Sequence, residues 1–183
     1  FIKARTVKVE GERKLDLENG KVLPISAQKR SEIETLLTAW LQQHPNPFFT
    51  RICDIGVRLT GTASLGLERY VILVENTKEK QYLLDLKEAR SSTLTPLLPL
   101  SQPTWPTEAA RIVGIQSRVN NVLPTLFCEI VGQEKSFVLK ELQPEQDKLD
   151  FHLWDGELET LEDLIRTTAV IVASGHLRSA GRQ

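Results

Sequence analysis

Between Leu59 and Ala89 the sequence sets glycines and a lysine where an anion could be held. Gly61-Thr62-Ala63-Ser64-Leu65-Gly66 reads as G-x-A-x-x-G between two apolar runs, and Lys87 closes Leu84-Asp85-Leu86-Lys87 on the run after that. Glycines let a backbone approach closely and adopt dihedrals other residues avoid, so exposed amides can point at anionic oxygens. A lysine ammonium adds a compact charge on a flexible stem. The chemistry implied is phosphate or nucleotide binding, with Gly61, Ser64 and Gly66 as a flap and Lys87 as the phosphate partner. The alternative is a tight β-turn beside a solvated lysine. Alternation puts Tyr82, Leu84 and Leu86 on one face of the last run and Leu83, Asp85 and Lys87 on the other. An exposed Asp85–Lys87 ion pair, worth about 0–1 kcal/mol, would then satisfy the lysine without a ligand.

Protein kinases use a related arrangement, a strand-loop-strand glycine flap over the phosphates and then a lysine on the following strand. Two positions depart from it: Ala63 replaces the central glycine, and Glu68 stands where a valine follows the last one. No H-R-D-like or D-F-G-like segment follows Lys87; Asp150-Phe151-His152 comes nearest and lacks the glycine. The carboxylates that phosphoryl transfer needs are therefore missing, and the isolated chain is expected to be inactive.

The landmarks recur. Arg58, Gly61, Ser64, Leu86, Lys87 and Glu88 return as Arg111, Gly114, Ser117, Leu139, Lys140 and Glu141 at a constant offset of 53. This predicts a weak internal repeat, residues 58–89 and 111–142, of two strand-loop-strand-strand units. Only the first keeps a second glycine, which singles out its loop. Lys140 shares a face with Val138 and Leu142 and reads as a snorkelling lysine.

The remaining reactive residue types form no constellation. His44, His152 and His176 are scattered without metal-ligand spacing. His176 and Arg178 fall near the end of a helix, where positive charge is favoured. Cys53 and Cys128 sit in apolar surroundings as packed, unpaired thiols. No metal site and no nucleophile-base pair follows.

Several elements would position the glycine loop. Short strands open the chain, with an Asn-Gly hairpin signal at Glu18 to Lys21. Ile33, Leu36, Leu37, Trp40 and Leu41 repeat at helical spacing behind the N-cap Ser26, giving a helix to Gln43 with Trp40 packed inside. Strands follow at Ile55 to Leu59, Arg69 to Glu75 and Gln81 to Glu88. In Tyr70 to Val74 both alternating faces are apolar, so that strand should be central and covered on both sides. A proline-rich connector covers Ser91 to Pro106. Strands resume at Ile112 to Ile115, Leu123 to Val131 and Ser136 to Leu142. A closing helix runs from a capping-box-like Thr160-Leu161-Glu162-Asp163 to about Ser179.

A chain of 183 residues suits one domain or lobe, and 23 basic against 24 acidic residues leave a net charge of −1. That balance gives no overall basic field, so no nucleic-acid partner is expected. Nothing reads as a signal peptide or membrane span. Unpaired cysteines favour a reducing compartment, and a cytoplasmic location is the expectation. The chain opens on Phe1 and contains no methionine, which suggests a piece of a longer protein or a sequence from which modified methionines are missing.

The stretch from Arg58 to Ser92, RLTGTASLGLERYVILVENTKEKQYLLDLKEARSS, resembles the central segment of the bacterial domain-of-unknown-function family 2252. FVLKELQPEQDKLDF and ASGHLRSAG resemble later segments of that family, and the similarity spans about Thr6 to Gly181. The departures are Ala63 for glycine and Leu139-Lys140-Glu141 where the family often has an arginine. The resemblance implies a later, lobe-like part of a kinase-like protein. In such proteins the acidic G-D-x-H-x-x-N-type and N-D-F-D-type segments precede this region, and neither occurs here. ATP with magnesium would then be a cofactor only together with the rest of the parent protein. The partners implied are that remainder or a small phosphate-bearing ligand.

The expected fold is α+β, an antiparallel sheet with two main helices, like a kinase small lobe at best. Two functions remain open: a phosphate-binding lobe, and a non-catalytic interaction or scaffold domain. Lys87 facing a concave site would favour the first, and a solvated Lys87 paired to Asp85 the second.

Overall fold

The computed structural model describes residues 1–18, 20–44, 48–59, 66–144, 154 and 156–180. After a 3-10 turn at Ile2–Arg5 the elements are β1 (Thr6–Val9), β2 (Glu12–Leu15), β3 (Val22–Leu23), α1 (Ala27–Gln42), β4 (Arg51–Arg58), β5 (Arg69–Glu75) and β6 (Gln81–Ala89). A 3-10 turn at Thr95–Leu97 interrupts the proline-rich connector, and α2 (Glu108–Val119), β7 (Cys128–Val131), β8 (Ser136–Glu141) and α3 (Leu158–Ala180) complete the chain. The class is α+β with antiparallel sheets, as expected, and among the described residues α2 stands beside the two main helices α1 and α3.

The chain divides into two compact units, residues 1–113 with 124–142, and residues 114–123 with 143–183. The first contains a six-stranded antiparallel sheet in the order β3-β4-β5-β6-β8-β7 and a separate β1-β2 hairpin. Every residue from Tyr70 to Val74 is buried, as its two apolar faces require. Tyr70, Ile72 and Val74 join Leu84, Leu86, Phe137 and Leu139 under Ile33 and Leu37 of α1. Val71 and Leu73 pack on the opposite face with Leu15, Val22, Leu83 and Leu142. Ser26 caps α1 as the sequence predicts, its Oγ accepting from the Lys29 amide at 3.3 Å. Trp40 is half-buried rather than fully inside, stacked between His44 and Phe49 with ring centroids 4.1 and 6.3 Å away.

Three local expectations are corrected. The strands flanking Glu18 to Lys21 do not pair with each other: β2 pairs with β1 and β3 with β4. The hairpin turn is Glu10-Gly11, both at positive φ (51° and 85°), which the twist of a two-residue connection favours. The strand expected at Ile112 to Ile115 lies inside α2, so Arg111, Gly114 and Ser117 are helical whereas Arg58 ends a strand. Ala109, Ile112 and Val113 recur at i, i+3 and i+4 and pack on Ala89, Val138 and Phe127, a helical period that outweighs the β-branched residues. At the offset of 53 only β6 and β8 coincide, because β5 falls on residues 122–128, of which β7 holds Cys128 alone. Finally, α3 begins at Leu158, so Thr160 lies in its first turn rather than at its cap.

In the second unit, Arg178 of α3 donates to the Val119 carbonyl at 3.2 and 3.4 Å and to Asn121 Oδ1 at 3.4 Å. The charge expected to favour its own helix end instead caps the last turn of α2. Gly175 is buried there, and a Cβ on it would sit 3.2 Å from the same carbonyl.

The first unit is held to its sheet at Asp54, which follows a β-bulge in β4. Its carboxylate accepts from the Leu15 amide of β2 at 2.9 Å and from Arg30 of α1 at 2.5 Å. Beside it the hairpin and β3 press onto Gly56, where a Cβ would meet Val22 Cγ1 at 2.4 Å and the Leu23 carbonyl at 3.3 Å. Gly56→Ala is expected to cost about 1–3 kcal/mol by overpacking, measured as a lower urea midpoint. An unchanged midpoint would show that the hairpin is free to shift away.

Candidate functional site

β4, β5 and β6 are consecutive antiparallel strands, and the glycine segment joins the first two. Gly61 and Ser64 lie outside the described residues. Gly66 adopts φ +78°, a conformation that favours glycine. Both ends of the segment are fastened: the Leu59 amide donates to the Lys21 carbonyl at 2.9 Å, and Glu68 exchanges bonds with Glu88. There the Glu68 amide donates to Glu88 Oε2 and the Glu88 amide to the Glu68 carbonyl, each at 2.8 Å.

Lys87 stands opposite Arg69 on one side and Val138 on the other, and it shares a sheet face with Asp85 as alternation predicts. The expected Asp85–Lys87 pair does not form. Asp85 is 1% exposed, and its carboxylate is taken by two arginines. Arg69 donates through Nε at 2.8 Å and Nη2 at 2.6 Å, a two-pronged contact, while Arg58 Nη1 lies 2.9 Å from Oδ1. Burial pushes the Asp85 pKa up, but the Arg69 hydrogen bonds and the Arg58 charge outweigh it and hold the carboxyl below its ordinary 3.8. Burial lowers Arg58 from its usual value, and Asp85 opposes that. In the sequence Arg58 stands out only as a repeat landmark, and Arg69 has no place in a motif. The signal was present, because Arg69, Val71 and Leu73 alternate on the face that Asp85 shares.

With Asp85 occupied, Lys87 and Lys140 make no hydrogen bond or ion pair among the described residues, and both are only partly exposed. Burial lowers the Lys87 pKa, and Arg69 and Lys140 press it the same way against the pull of Asp85.

The opposite face at this end of the sheet carries acids. Glu68 accepts from Tyr70 Oη at 2.8 Å and from Lys135 at 2.6 Å, and Lys29 of α1 lies 3.5 Å away. Glu88, 5% exposed, pairs with Arg90 at 2.8 Å. Burial raises the pKa of both acids, and their hydrogen bonds to these partners bring each below the ordinary range. Glu68, which the sequence offered only as a departure from a motif, is thus a structural tie. A cleft of 1180 Å³ opens beside Glu88, lined also by Arg90, Trp105, Glu108 and Arg111, but not by Lys87. Its arginines are answered, Arg90 by Glu88 and Arg111 by Glu108 at 2.6 Å.

The other reactive side chains have structural surroundings. Cys53 and Cys128 are free thiols, and burial pushes Cys128 up to about 11. His44 bonds the Trp40 carbonyl at 2.7 Å, His176 lies exposed on α3, and His152 is outside the described residues. Among the described residues no cluster of His, Cys, Asp or Glu could hold a metal ion, and no helix is long and apolar enough to cross a membrane.

The family model of DUF2252, an uncharacterized protein conserved in bacteria, matches residues 1–183. The chain belongs to that family. No curated protein and no solved structure matches it.

Removing the Asp85 carboxylate breaks a largely buried ion pair with Arg58 and Arg69, a loss that typically costs about 3–5 kcal/mol. Because the folded carboxyl titrates below its ordinary 3.8, its stabilisation is complete above that value and is lost as pH falls through the depressed pKa. Asp85→Asn is expected to lower the urea midpoint at neutral pH and to flatten the acid side of the stability-pH curve. A parallel curve would show that the carboxylate is not what stabilises.

Proposed function

We propose that this chain is the phosphate- or nucleotide-binding lobe of a kinase-like protein and does not carry out catalysis by itself. The observation that carries the reading is Lys87: a half-buried lysine, unpaired among the described residues, on the third of three consecutive antiparallel strands whose first connection is glycine-bearing. Keeping a cation partly desolvated without a counter-charge is unfavourable, and an anionic ligand would remove that cost. In protein kinases a lysine so placed pairs with phosphates and with a glutamate of the next helix. Here the next helix is α2, and its first-turn Glu108 pairs with Arg111 and Ser91 instead. The likeness is thus one of element order, an analogy of fold rather than of an assembled site. Gly61, Ser64 and Gly66 enter the reading from the sequence pattern. ATP with magnesium would act only where the rest of the parent protein supplies metal-holding and base-like carboxylates, because charge neutralisation and positioning supply most of the rate.

The second reading, a non-catalytic interaction or scaffold domain, is favoured by the exposed apolar residues of α3, Leu158, Ile165, Val170, Ile171, Val172 and Leu177.

Titration calorimetry with magnesium-ATP and with pyrophosphate separates the two. The first reading expects weak binding that Lys87→Ala reduces about tenfold, a loss of about 1.4 kcal/mol. No binding, or equal binding by the variant, favours the scaffold. Phosphate release from ATP should stay at background in both proteins. Release that Lys87→Ala abolishes would overturn the non-catalytic reading.

A further inference from the structure

Register places Asp85 opposite Lys140 and Lys87 opposite Val138, so Lys87 and Lys140 are diagonal neighbours across β6 and β8, on one face. Such neighbours lie about 7–8 Å apart at the backbone, within mutual reach of long side chains. Around them this face carries Arg58 and Arg69, with Arg5 close enough to act on Arg58. Among the described residues no carboxylate pairs with Lys87 or Lys140. Asp85 is consumed by the two arginines, and Glu129 of β7, opposite Val138, accepts from Thr107 Oγ1 at 2.9 Å. Like charges placed side by side destabilise a sheet, and here they are also partly withdrawn from water.

We propose that Lys140 is a second anion-contacting residue, and that Lys87 and Lys140 together select a ligand with consecutive phosphoryl groups over one with a single phosphate. The inference rests on the phosphate-binding reading of Lys87 and extends it. Two ammonium groups on flexible stems a strand apart match two phosphoryl groups along a chain, whereas a single phosphate engages both only by drawing them together against their repulsion. The Asp85 pair has a positioning role: it holds Arg69 against the sheet beside Lys87 and keeps the Asp85 carboxylate, which stands opposite Lys140, from competing with the ligand. The chemistry is shared by a nucleotide's phosphate tail and by an inorganic polyphosphate.

The test measures binding of inorganic phosphate, tripolyphosphate and ATP to the full chain and to Lys87→Ala, Lys140→Ala, Lys140→Gln and a control at the exposed turn residue Lys78, Lys78→Ala. Tripolyphosphate should bind more tightly than phosphate, and either substitution at Lys140 should weaken it about tenfold and erase most of that preference. The ratio of ATP to tripolyphosphate affinity tells the two sources apart. Without ligand, Lys140→Gln should melt at a higher temperature than the parent, because a like-charge contact is relieved, and ligand should then add less to its stability. If Lys87→Ala weakens binding while both Lys140 variants bind as the parent does, the inference fails and the lobe reading stands. If no probe binds, or Lys87→Ala has no effect, both fail.

Discussion

A strand that is apolar on both faces cannot be left at a surface, and the run from Tyr70 to Val74 imposes that condition on the first unit. Each face needs its own cover. α1 supplies one through Ile33 and Leu37; Leu15, Val22 and Leu142 supply the other. Asp54 is where the two covers are tied to the same strand, since its carboxylate binds β2 through the Leu15 amide and α1 through Arg30. The apolar layers stop at Arg69, and there the sheet changes from hydrophobic packing to paired and unpaired charge.

That change of character explains what could be read from the sequence. Period-two and helical spacings were enough for β5, β6 and α1, because each is decided by residues a few positions apart. The placement of Lys87 beside Asp85 followed from the same alternation. The arginines that hold Asp85 did not, because Arg58, Arg69 and Asp85 meet only through the pairing of three strands. A similar limit produced the strand expected at Ile112 to Ile115: a short β-branched run is ambiguous until something shows which side is covered, and Ala89 and Val138 settle it as one face of a helix. Asn19-Gly20 is the stronger turn signal in the sequence. Glu10-Gly11 made the turn because β1 and β2 flank it with matched lengths.

Recurrence of residue types at a fixed offset was similarly a partial guide. Lys87 and Lys140 do occupy the closing strands of two antiparallel hairpins. They came together because those strands are neighbours in the sheet, whereas Arg58 and Arg111 went to a strand and a helix. Shared letters at one spacing thus carried contact information without carrying a shared architecture.

The glutamates on one side of the sheet and the cations on the other amount to a charge separation across a layer only one backbone thick. Glu68 and Glu88 face α1 and are neutralised in place, while Arg58, Arg69, Lys87 and Lys140 face away with Asp85 the one buried carboxylate among them in the described residues. A field arranged in this way has a direction. On the proposed phosphate-binding reading it would favour approach of an anionic ligand from the side of Lys87 and Lys140, so that encounter is oriented before contact. Its reach is the Debye length, about 8 Å at physiological ionic strength. The side from which a solute arrives would thus be set by the sheet's polarity even though the net charge of the whole chain is nearly zero.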